Sequence, residues 1–167
     1  MKFSALPSQH QLRSKLDYDP RTGLLRWRID KASTCPAGTV AGAITHKGYV
    51  RLKFDGRAYL AHRVIWKWVT GDEPPHQIDH IDLNKANNAW LNLRPATNSQ
   101  NHMNRAAIGG HGLPKGITFN KRQQKYIARI KKDGIRFQLG CFDDIASATK
   151  AYRDAAAIMF GVFARAA

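Results

Sequence analysis

Residues 78–105 read IDHIDLNKANNAWLNLRPATNSQNHMNR, and this stretch decides the fold that the sequence predicts. It begins inside a short apolar–polar run at 76–81, which is typical of a strand. A polar loop follows at 82–88, and a second strand-like run covers 90–96. The segment from about Asn98 has helical character. The stretch therefore predicts a β–loop–β–helix unit.

This unit resembles the HNH endonuclease motif of the phage and intron-homing subgroup, in which the third letter is Asn. The resemblance places the general base at His80 and the residue that orients it twelve positions later (92 − 80), at Asn92. It places a carboxylate metal ligand at Asp79 and the last metal ligand at Asn101. The neighbouring His102 is the alternative for that ligand, because a helix turns about 100° per residue and both side chains cannot face one ion equally.

The residue types suit hydrolysis of a phosphodiester. Imidazole titrates near pH 6.5, so His80 can take a proton from water at neutral pH. The side-chain carbonyl of Asn92 can accept from one ring nitrogen and fix the tautomer. A divalent ion on Asp79 and Asn101 would stabilise the departing oxygen, and hard oxygen ligands favour Mg²⁺ or Mn²⁺, one ion per site. One base and one ion imply a single-strand nick with 5′-phosphate and 3′-hydroxyl ends.

Each of these residues also has a structural alternative. An isolated Asp-His pair is more often a surface or capping pair. Asn92 alone can hold a turn through its side chain, and Asn101 and His102 can be solvated helix residues. The intervals taken together favour the nuclease interpretation. His62, which precedes Arg63 at a helix start, is expected to pack or to contact phosphate rather than to catalyse.

Three strand-like runs follow residue 114, at GITFN, KYIARIK and IRFQLGCF, and a helical pattern covers 144–160. The pattern LGxF…A…AYxxAA runs through this region. Residues 114–163 thereby resemble the plant-type Apetala-two DNA-binding domain. That resemblance implies a three-stranded sheet that lies in the major groove, with a helix packed behind it.

Strand alternation divides the side chains of this sheet between two faces. The face against the helix is expected to carry Ile117, Phe119, Ala128, Ile130, Phe137 and Leu139. The opposite face is expected to carry the DNA-binding residues Thr118, Asn120, Arg129, Lys131, Arg136 and Gln138. Cationic and amide side chains suit phosphates and base edges, although a merely solvated cationic face is the alternative.

Residues 1–75 predict elements that brace the nuclease core. A helix is expected at 8–16 with Ser8 as its cap. Asp55-Gly56 between two alternating runs predicts a hairpin, and the helical run after it should end at Gly71. The tryptophans expected in the core of this region are Trp27, Trp66 and Trp68.

The charge balance indicates a polyanionic partner. The 167 residues include 27 Lys and Arg against 12 Asp and Glu, a formal net charge of +15. Such a field concentrates nucleic acid. No stretch approaches the roughly 20 apolar residues of a membrane span, and the two cysteines, which form no CxxC pair, cannot supply the four thiolates of a zinc site. We expect double-stranded DNA as partner, no membrane, no obligate protein partner, a monomer, and a cytoplasmic location in a bacterial or phage-infected cell.

The predicted fold class is α+β: a β-rich region leads into a ββα-metal core, and a three-stranded antiparallel sheet packed on one helix follows. The predicted domains are a nuclease at 1–106 with its core at about 76–105, a linker at 107–113, and an Apetala-two-like domain at 114–167. The expected function is a metal-dependent DNA endonuclease targeted by its C-terminal sheet. The alternative is an inactive DNA-binding regulator, and an RNA-binding accessory factor is a third possibility.

Overall fold

Helices and small β-sheets alternate along the chain, so the fold is α+β, as the sequence predicts. The computed structural model describes residues 5–74, 77–104 and 112–164. The chain divides into two compact units, Met1–Pro95 and Ala96–Ala167. Within the described ranges, no helix is both long and apolar enough to cross a bilayer.

Helix α1 (Gln9–Lys15) opens the first unit, where the sequence predicts a helix at 8–16. The Ser8 side chain accepts from Gln11 N, and the Gln11 side chain accepts from Ser8 N. This reciprocal pair satisfies two amides that the helix itself leaves without partners. The other elements of the unit are β1 (Leu16–Asp19), β2 (Leu24–Trp27), β3 (Ala43–Ile44), β4 (Val50–Phe54), β5 (Arg57–Leu60), α2 (Ala61–Thr70), β6 (Gln77–His80) and β7 (Leu93–Ala96), the last of which ends at the border between the units.

The strands of the first unit form three small sheets. β1 pairs with β2, the antiparallel strands β3, β4 and β5 follow one another in a second sheet, and β6 pairs with β7. The predicted Asp55-Gly56 turn joins β4 to β5, with φ of 45° and 80°. Such a two-residue hairpin turn needs positive φ at both positions, which explains this pair of residues.

An apolar core holds the first unit together. Helix α2 contributes Val64 and Ile65, each 0% exposed, and ends as predicted at Gly71. Trp27 is buried in this core, and Trp66 and Trp68 pack against it half-buried. The expectation that the three tryptophans belong to the core is confirmed.

The second unit contains the predicted three-stranded sheet backed by a helix. Its strands are antiparallel in the order β10–β9–β8, and α4 packs on the sheet. The side chain of Asp144 caps α4 by accepting from Ser147 N at 2.8 Å. The elements are α3 (Asn98–Asn104), β8 (Ile117–Asn120), β9 (Lys125–Lys132), β10 (Ile135–Phe142) and α4 (Ile145–Phe160).

Helix α3 belongs to the second unit, whereas the sequence analysis placed it in the nuclease domain at 1–106. Met103 is 5% exposed in the second core, and the hydroxyl of Tyr152 lies 3.8 Å from its sulfur. Lys115 donates to the carbonyls of His102 and Met103. A local pattern predicts a helix but not the core on which it packs. Residues 107–111 of the expected linker lie outside the described residues.

The inner face of the second unit's sheet is buried only in part. Ile117, Ala128 and Ile130 are buried and Leu139 packs against them, as expected. Phe119 and Phe137, expected on the buried face, are each 39% exposed. Both phenylalanines keep the expected face, since Phe137 is in register with the buried Ile130 and Phe119 lies two residues after Ile117. A bulge follows them in β10, between Gln138 and Gly140. The aromatic side chains of the strands that pack against the core are Tyr126 and Phe142.

Candidate active site

The end of β6 and the loop after it form the candidate site. Asp79 and His80 are the last residues of β6 and are 4% and 5% exposed. The backbone N–H of Ile81 donates to the carbonyl of Asn92 at 2.9 Å, so the two ends of the loop meet. Adjacent strand residues point to opposite faces, and Asp79 and His80 accordingly have different partners.

The ring of His80 is bound by Asn88. His80 Nε2 lies 3.2 Å from Asn88 Oδ1, and Asn88 is itself 2% exposed. Asn88 Nδ2 donates to Ala86 O, which leaves the amide oxygen facing the ring. An amide oxygen can only accept, so Nε2 carries the proton and Nδ1 carries the lone pair. The contact therefore selects one tautomer of His80.

Asn92 does not make the contact that the sequence analysis expected of it. Its Oδ1 accepts from Asp82 N at 3.0 Å, and its Nδ2 donates to Asp82 Oδ1 and to Asn87 O. The prediction that Asn92 meets the ring of His80 is wrong, and its structural alternative, a side chain that holds a turn, describes what it does. The twelve-residue interval fixes a position in the sequence, whereas the path of the loop decides which amide reaches the ring.

Asp82 is the centre of the loop. It accepts from Asn87 Nδ2 at 2.7 Å and from the backbone N–H of Asn84 at 2.8 Å, in addition to its bonds with Asn92. Burial raises the pKa of Asp82, but the hydrogen bonds from Asn87 and Asn92 outweigh it, so the pKa lies below its ordinary value. A carboxylate that stays ionised in this way holds the loop in one shape before any ligand binds.

The rings of His62 and Tyr49 also lie near the ring of His80. The ring of His62 is 5.2 Å from that of His80 in an edge-to-face arrangement, and Tyr49 is 6.1 Å from His80. His62 is 6% exposed, so the packing role expected for it is confirmed. Its Nδ1 is buried with no hydrogen-bond partner among the described residues.

Burial sets the protonation of both histidines. It lowers the pKa of His80, and the hydrogen bond with Asn88 offsets part of that effect. Burial, together with repulsion from His80 and Arg63, lowers the pKa of His62 to about 3. At neutral pH both rings are therefore neutral, which is the state that a base requires.

Replacing His62 by Phe should make the free energy of unfolding less sensitive to acid. The unfolded chain protonates this residue near its ordinary pKa of about 6.5, whereas the folded protein does so only near pH 3. Stability is therefore lost as the pH falls from about 6.5 towards 3, by up to about 1.4 kcal/mol per pH unit from this group. Urea unfolding at about pH 7 and about pH 4.5 measures the slope.

The control for this prediction is His46→Phe, because His46 is exposed in the same unit. We expect the His46 variant to keep the acid sensitivity of the wild type. Equal slopes for the His62 variant and the wild type would show that His62 becomes protonated without cost in the folded protein.

Asp79 is paired with Arg94, on the neighbouring strand β7. Arg94 Nε and Nη2 both lie 2.9 Å from Asp79 Oδ2, and the Arg94 side chain is 14% exposed. Two donors on one carboxylate oxygen fix the orientation of the group and compensate its burial. Ligating carboxylates are commonly held by such a neighbour, so the pair is compatible with a metal ligand at Asp79.

The remaining predicted ligands lie elsewhere in the chain. Asn101 and His102 are on α3, in the second unit, and Asn101 N donates to Thr97 O. Among the described residues, no group of three or more His, Cys, Asp and Glu could hold a metal ion. Mg²⁺ is usually bound through one or two carboxylates and several waters, so the donor chemistry of Asp79 suits it better than Zn²⁺.

The predicted DNA-binding side chains share one face of the second unit's sheet, but one of them, Asn120, makes hydrogen bonds within a turn. The register places Arg129 opposite Gln138 and Lys131 opposite Arg136, and Thr118 is exposed on β8. Asn120 instead holds the turn after β8, since its Oδ1 accepts from Arg122 N and Gln123 N. Its side chain is thereby committed to the turn.

Three residues of the candidate site, Asn88, Arg94 and Tyr49, were not predicted from the sequence. The Asn87-Asn88 pair inside the loop was a visible signal, because buried amides in loops usually have a specific partner. Arg94 lies in the strand opposite Asp79, so pairing of the two strands would have suggested the ion pair. Nothing in the local sequence marks Tyr49, which reaches His80 through the tertiary fold alone.

Part of the chain is similar to known proteins. Residues 59–103 match the family model described as HNH endonuclease. A protein of Acanthamoeba polyphaga mimivirus named "Uncharacterized HNH endonuclease L560" is 33% identical over 105 residues, which cover 62% of this chain and 54% of the relative. The chain thus spans about half the length of that relative.

A solved structure described as "DNA binding and cleavage by the HNH homing endonuclease I-HmuI" is 25% identical in sequence. The match covers 74% of this chain and 71% of the other, with a TM-score of 0.42. The segment that matches the HNH endonuclease model, residues 59–103, contains α2, β6, the loop of Asn88 and β7.

Proposed function

We propose that the protein is a metal-dependent DNA endonuclease of the HNH type that nicks one strand per active site and is targeted by its C-terminal sheet. One observation carries the proposal: a neutral His80, with its proton held on Nε2 by Asn88, lies beside Asp79 in the segment that matches the HNH endonucleases. Imidazole in this state is suited to take a proton from water.

His80 would act through Nδ1, the nitrogen that the Asn88 contact leaves with the lone pair. Nδ1 accepts a proton from a water, the resulting hydroxide forms a bond to phosphorus, and the P–O3′ bond breaks. The departing 3′-oxygen takes a proton from solvent water, and His80 returns its extra proton to solvent. The products are a 5′-phosphate and a 3′-hydroxyl. At 5% exposure the ring is largely buried, so the reaction requires a water to reach this edge of it.

Asp79 would hold the divalent ion, with Arg94 fixing the orientation of the carboxylate. When bound, Mg²⁺ or Mn²⁺ would supply positive charge to the crowded phosphate and the departing oxygen. The second ligand stays a prediction from the sequence, with Asn101 preferred and His102 as the alternative. Binding of Mn²⁺ to Asp79→Asn, Asn101→Ala and His102→Ala, followed by electron paramagnetic resonance, distinguishes the three residues.

The exposed face of the second unit's sheet would bind double-stranded DNA. Residues 115–136 contain eight Lys and Arg against one Asp. Arg129, Lys131 and Arg136 lie on this face, and cations there suit phosphate contacts. Thr118 and Gln138 add hydroxyl and amide groups that can read base edges. Phosphate contacts would supply affinity, and the polar neutral residues would supply selectivity.

The double variant Lys131→Ala, Arg136→Ala should weaken DNA binding and flatten its salt dependence. Each lost phosphate contact lowers the slope of log K against log salt by about 0.9. Fluorescence anisotropy with a labelled duplex at several salt concentrations measures both quantities. Lys150→Ala is the matched control, because Lys150 is an exposed lysine of the same unit that pairs with Asp154 on α4. A larger loss in the control than in the double variant would exclude the sheet as the DNA-binding face.

The nuclease proposal is tested with supercoiled plasmid and the purified protein. With Mg²⁺ or Mn²⁺ the wild type should produce relaxed circles, and chelation of the ion should stop the reaction. Ligation or phosphatase-coupled labelling of the nick identifies the 5′-phosphate. The inactive-regulator alternative is favoured by the burial of His80 and by the pairing of Asp79 with Arg94. It would prevail if the protein binds the plasmid but leaves it supercoiled with every divalent ion.

A further inference from the structure

The β1–β2 hairpin, residues 16–27, lies outside the segment that matches the HNH endonucleases, yet it contacts the loop that carries Asn88. The hydroxyl of Tyr18 donates to Asn88 O at 2.9 Å in a buried position. The backbone N–H of Trp90 donates to Pro20 O at 2.9 Å. The hairpin therefore binds the loop on both sides of Ala89.

The closest approach is at Gly23. A Cβ atom on this residue would lie 2.3 Å from the carbonyl carbon of Asn88 and 2.3 Å from Ala89 N. Backbone here lies against backbone, and Gly23 also has a φ of 75°. Both features require glycine. The turn of the hairpin thus fits directly against the main chain of the residue that contacts His80.

We propose that the β1–β2 hairpin is a positioning element for His80: by fixing the backbone of Asn88, it keeps the Asn88 side chain on His80 Nε2 and so sets the tautomer of the base. The inference rests on the proposed function, in which the Nδ1 of His80 takes the proton. The chain of contacts is short, from Tyr18 to Asn88 at 2.9 Å and from Asn88 to His80 at 3.2 Å.

The hairpin is suited to this role because it is anchored independently of the loop. Asp19 accepts from Arg21 N and from the hydroxyl of Thr22, which closes the turn. Leu16 and Leu25 are buried in the core of the first unit. A structure held by its own turn and by the core can serve as a fixed support for the backbone of Asn88.

The hydroxyl of Tyr18 keeps its proton at neutral and moderately alkaline pH, and it therefore remains a hydrogen-bond donor to Asn88. Burial, with a smaller effect from Asp19, raises the pKa of Tyr18 well above its ordinary value. By contrast, the link that Asn88 makes inside the loop, from Nδ2 to Ala86 O, is local and does not tie the loop to the core. Loss of the hydrogen bond from Tyr18 should therefore change the position of Asn88.

The test compares Tyr18→Phe with Tyr59→Phe. Both tyrosines are 8% exposed in the same core, but the hydroxyl of Tyr59 is not among the described partners of Asn88. The readouts are the maximal nicking rate, the DNA concentration at half-maximal rate, and the ¹⁵N chemical shifts of the His80 ring, which report the tautomer. Asn88→Ala and Asn88→Asp complete the set, because the carboxylate of the second variant can still accept from Nε2.

Tyr18→Phe should lower the maximal rate at least about tenfold, leave the half-saturating DNA concentration unchanged, and move the ring ¹⁵N shifts towards a mixture of tautomers. Asn88→Ala should lower the maximal rate and shift the tautomer mixture further than Tyr18→Phe does. Asn88→Asp should restore the single tautomer. Tyr59→Phe should match the wild type in all three.

A wild-type rate and a wild-type ¹⁵N pattern in Tyr18→Phe would overturn the inference while the proposed function stands. A slower Tyr18→Phe with an unchanged ¹⁵N pattern would also overturn it, since the hairpin would then act on stability alone. If the wild type does not nick DNA, the proposed function fails, and the ¹⁵N shifts still decide whether the hairpin sets the tautomer.

Discussion

His80→Ala should lower the rate of plasmid nicking by about 100- to 10,000-fold, the range that a positioned general base contributes. The ring is neutral at neutral pH, and its contact with Asn88 places the proton on Nε2, so Nδ1 is the nitrogen proposed to act as the base. Alanine cannot take the proton, and water would have to be deprotonated without help. DNA affinity should stay unchanged, because the charges proposed to bind the duplex lie on the sheet of the second unit.

Single-turnover nicking of supercoiled plasmid, with DNA binding measured separately by anisotropy, gives the two quantities. His10→Ala is the matched control, since His10 is an exposed histidine on α1. We expect the control to nick as the wild type does. A His80→Ala variant with the wild-type rate would show that another group takes the proton, and the assignment of His80 would be withdrawn.

Arg94→Met should destabilise the folded protein by about 3 to 5 kcal/mol, the usual cost of removing one partner of a buried ion pair. Asp79 is 4% exposed, and Arg94 places two donors on its Oδ2. Without the guanidinium the carboxylate stays buried next to an apolar side chain. Asp79 and Arg94 lie on the paired strands β6 and β7, so the substitution should destabilise the strand pair that carries the candidate site.

Urea unfolding followed by tryptophan fluorescence measures this free energy. The double variant Asp79→Leu, Arg94→Met should recover most of the loss, because removing both partners leaves no buried charge. Mn²⁺ should raise the unfolding midpoint of Arg94→Met if Asp79 binds the ion. Lys150→Met is the control, since it breaks an exposed pair and should cost less than about 1 kcal/mol. A similar small cost for Arg94→Met would contradict the prediction.

Elements with a strong local signal were predictable from the sequence. The Ser8 cap, the Asp55-Gly56 hairpin and the end of α2 at Gly71 each depend on the conformation of two to four neighbouring residues. The three strands of the second unit were predictable for the same reason, because each alternates and is bounded by turn residues.

Features that depend on distant contacts were not predictable. The sequence marks α3 as a helix, but its packing through Met103 depends on the second core. Alternation predicts the face on which Phe119 and Phe137 lie, but it does not predict how far the core extends under that face, and both side chains are 39% exposed.

The candidate site shows the same division. Asp79 and His80 are recognisable from their spacing within the motif, whereas the partner of His80 is decided by the path of the loop. Two asparagines, Asn88 and Asn92, carry the same chemistry four residues apart. Only the three-dimensional course of the chain separates the one that meets the ring from the one that holds the loop.

Two hydrogen bonds join Asp82 to Asn92 and close the segment between them into a loop of fixed length. A residue inserted into this segment would either bulge out of the loop or separate Asp82 from Asn92. Asn88 would then move away from the imidazole ring of His80. The number of residues between His80 and Asn92 therefore cannot increase without disturbing these contacts.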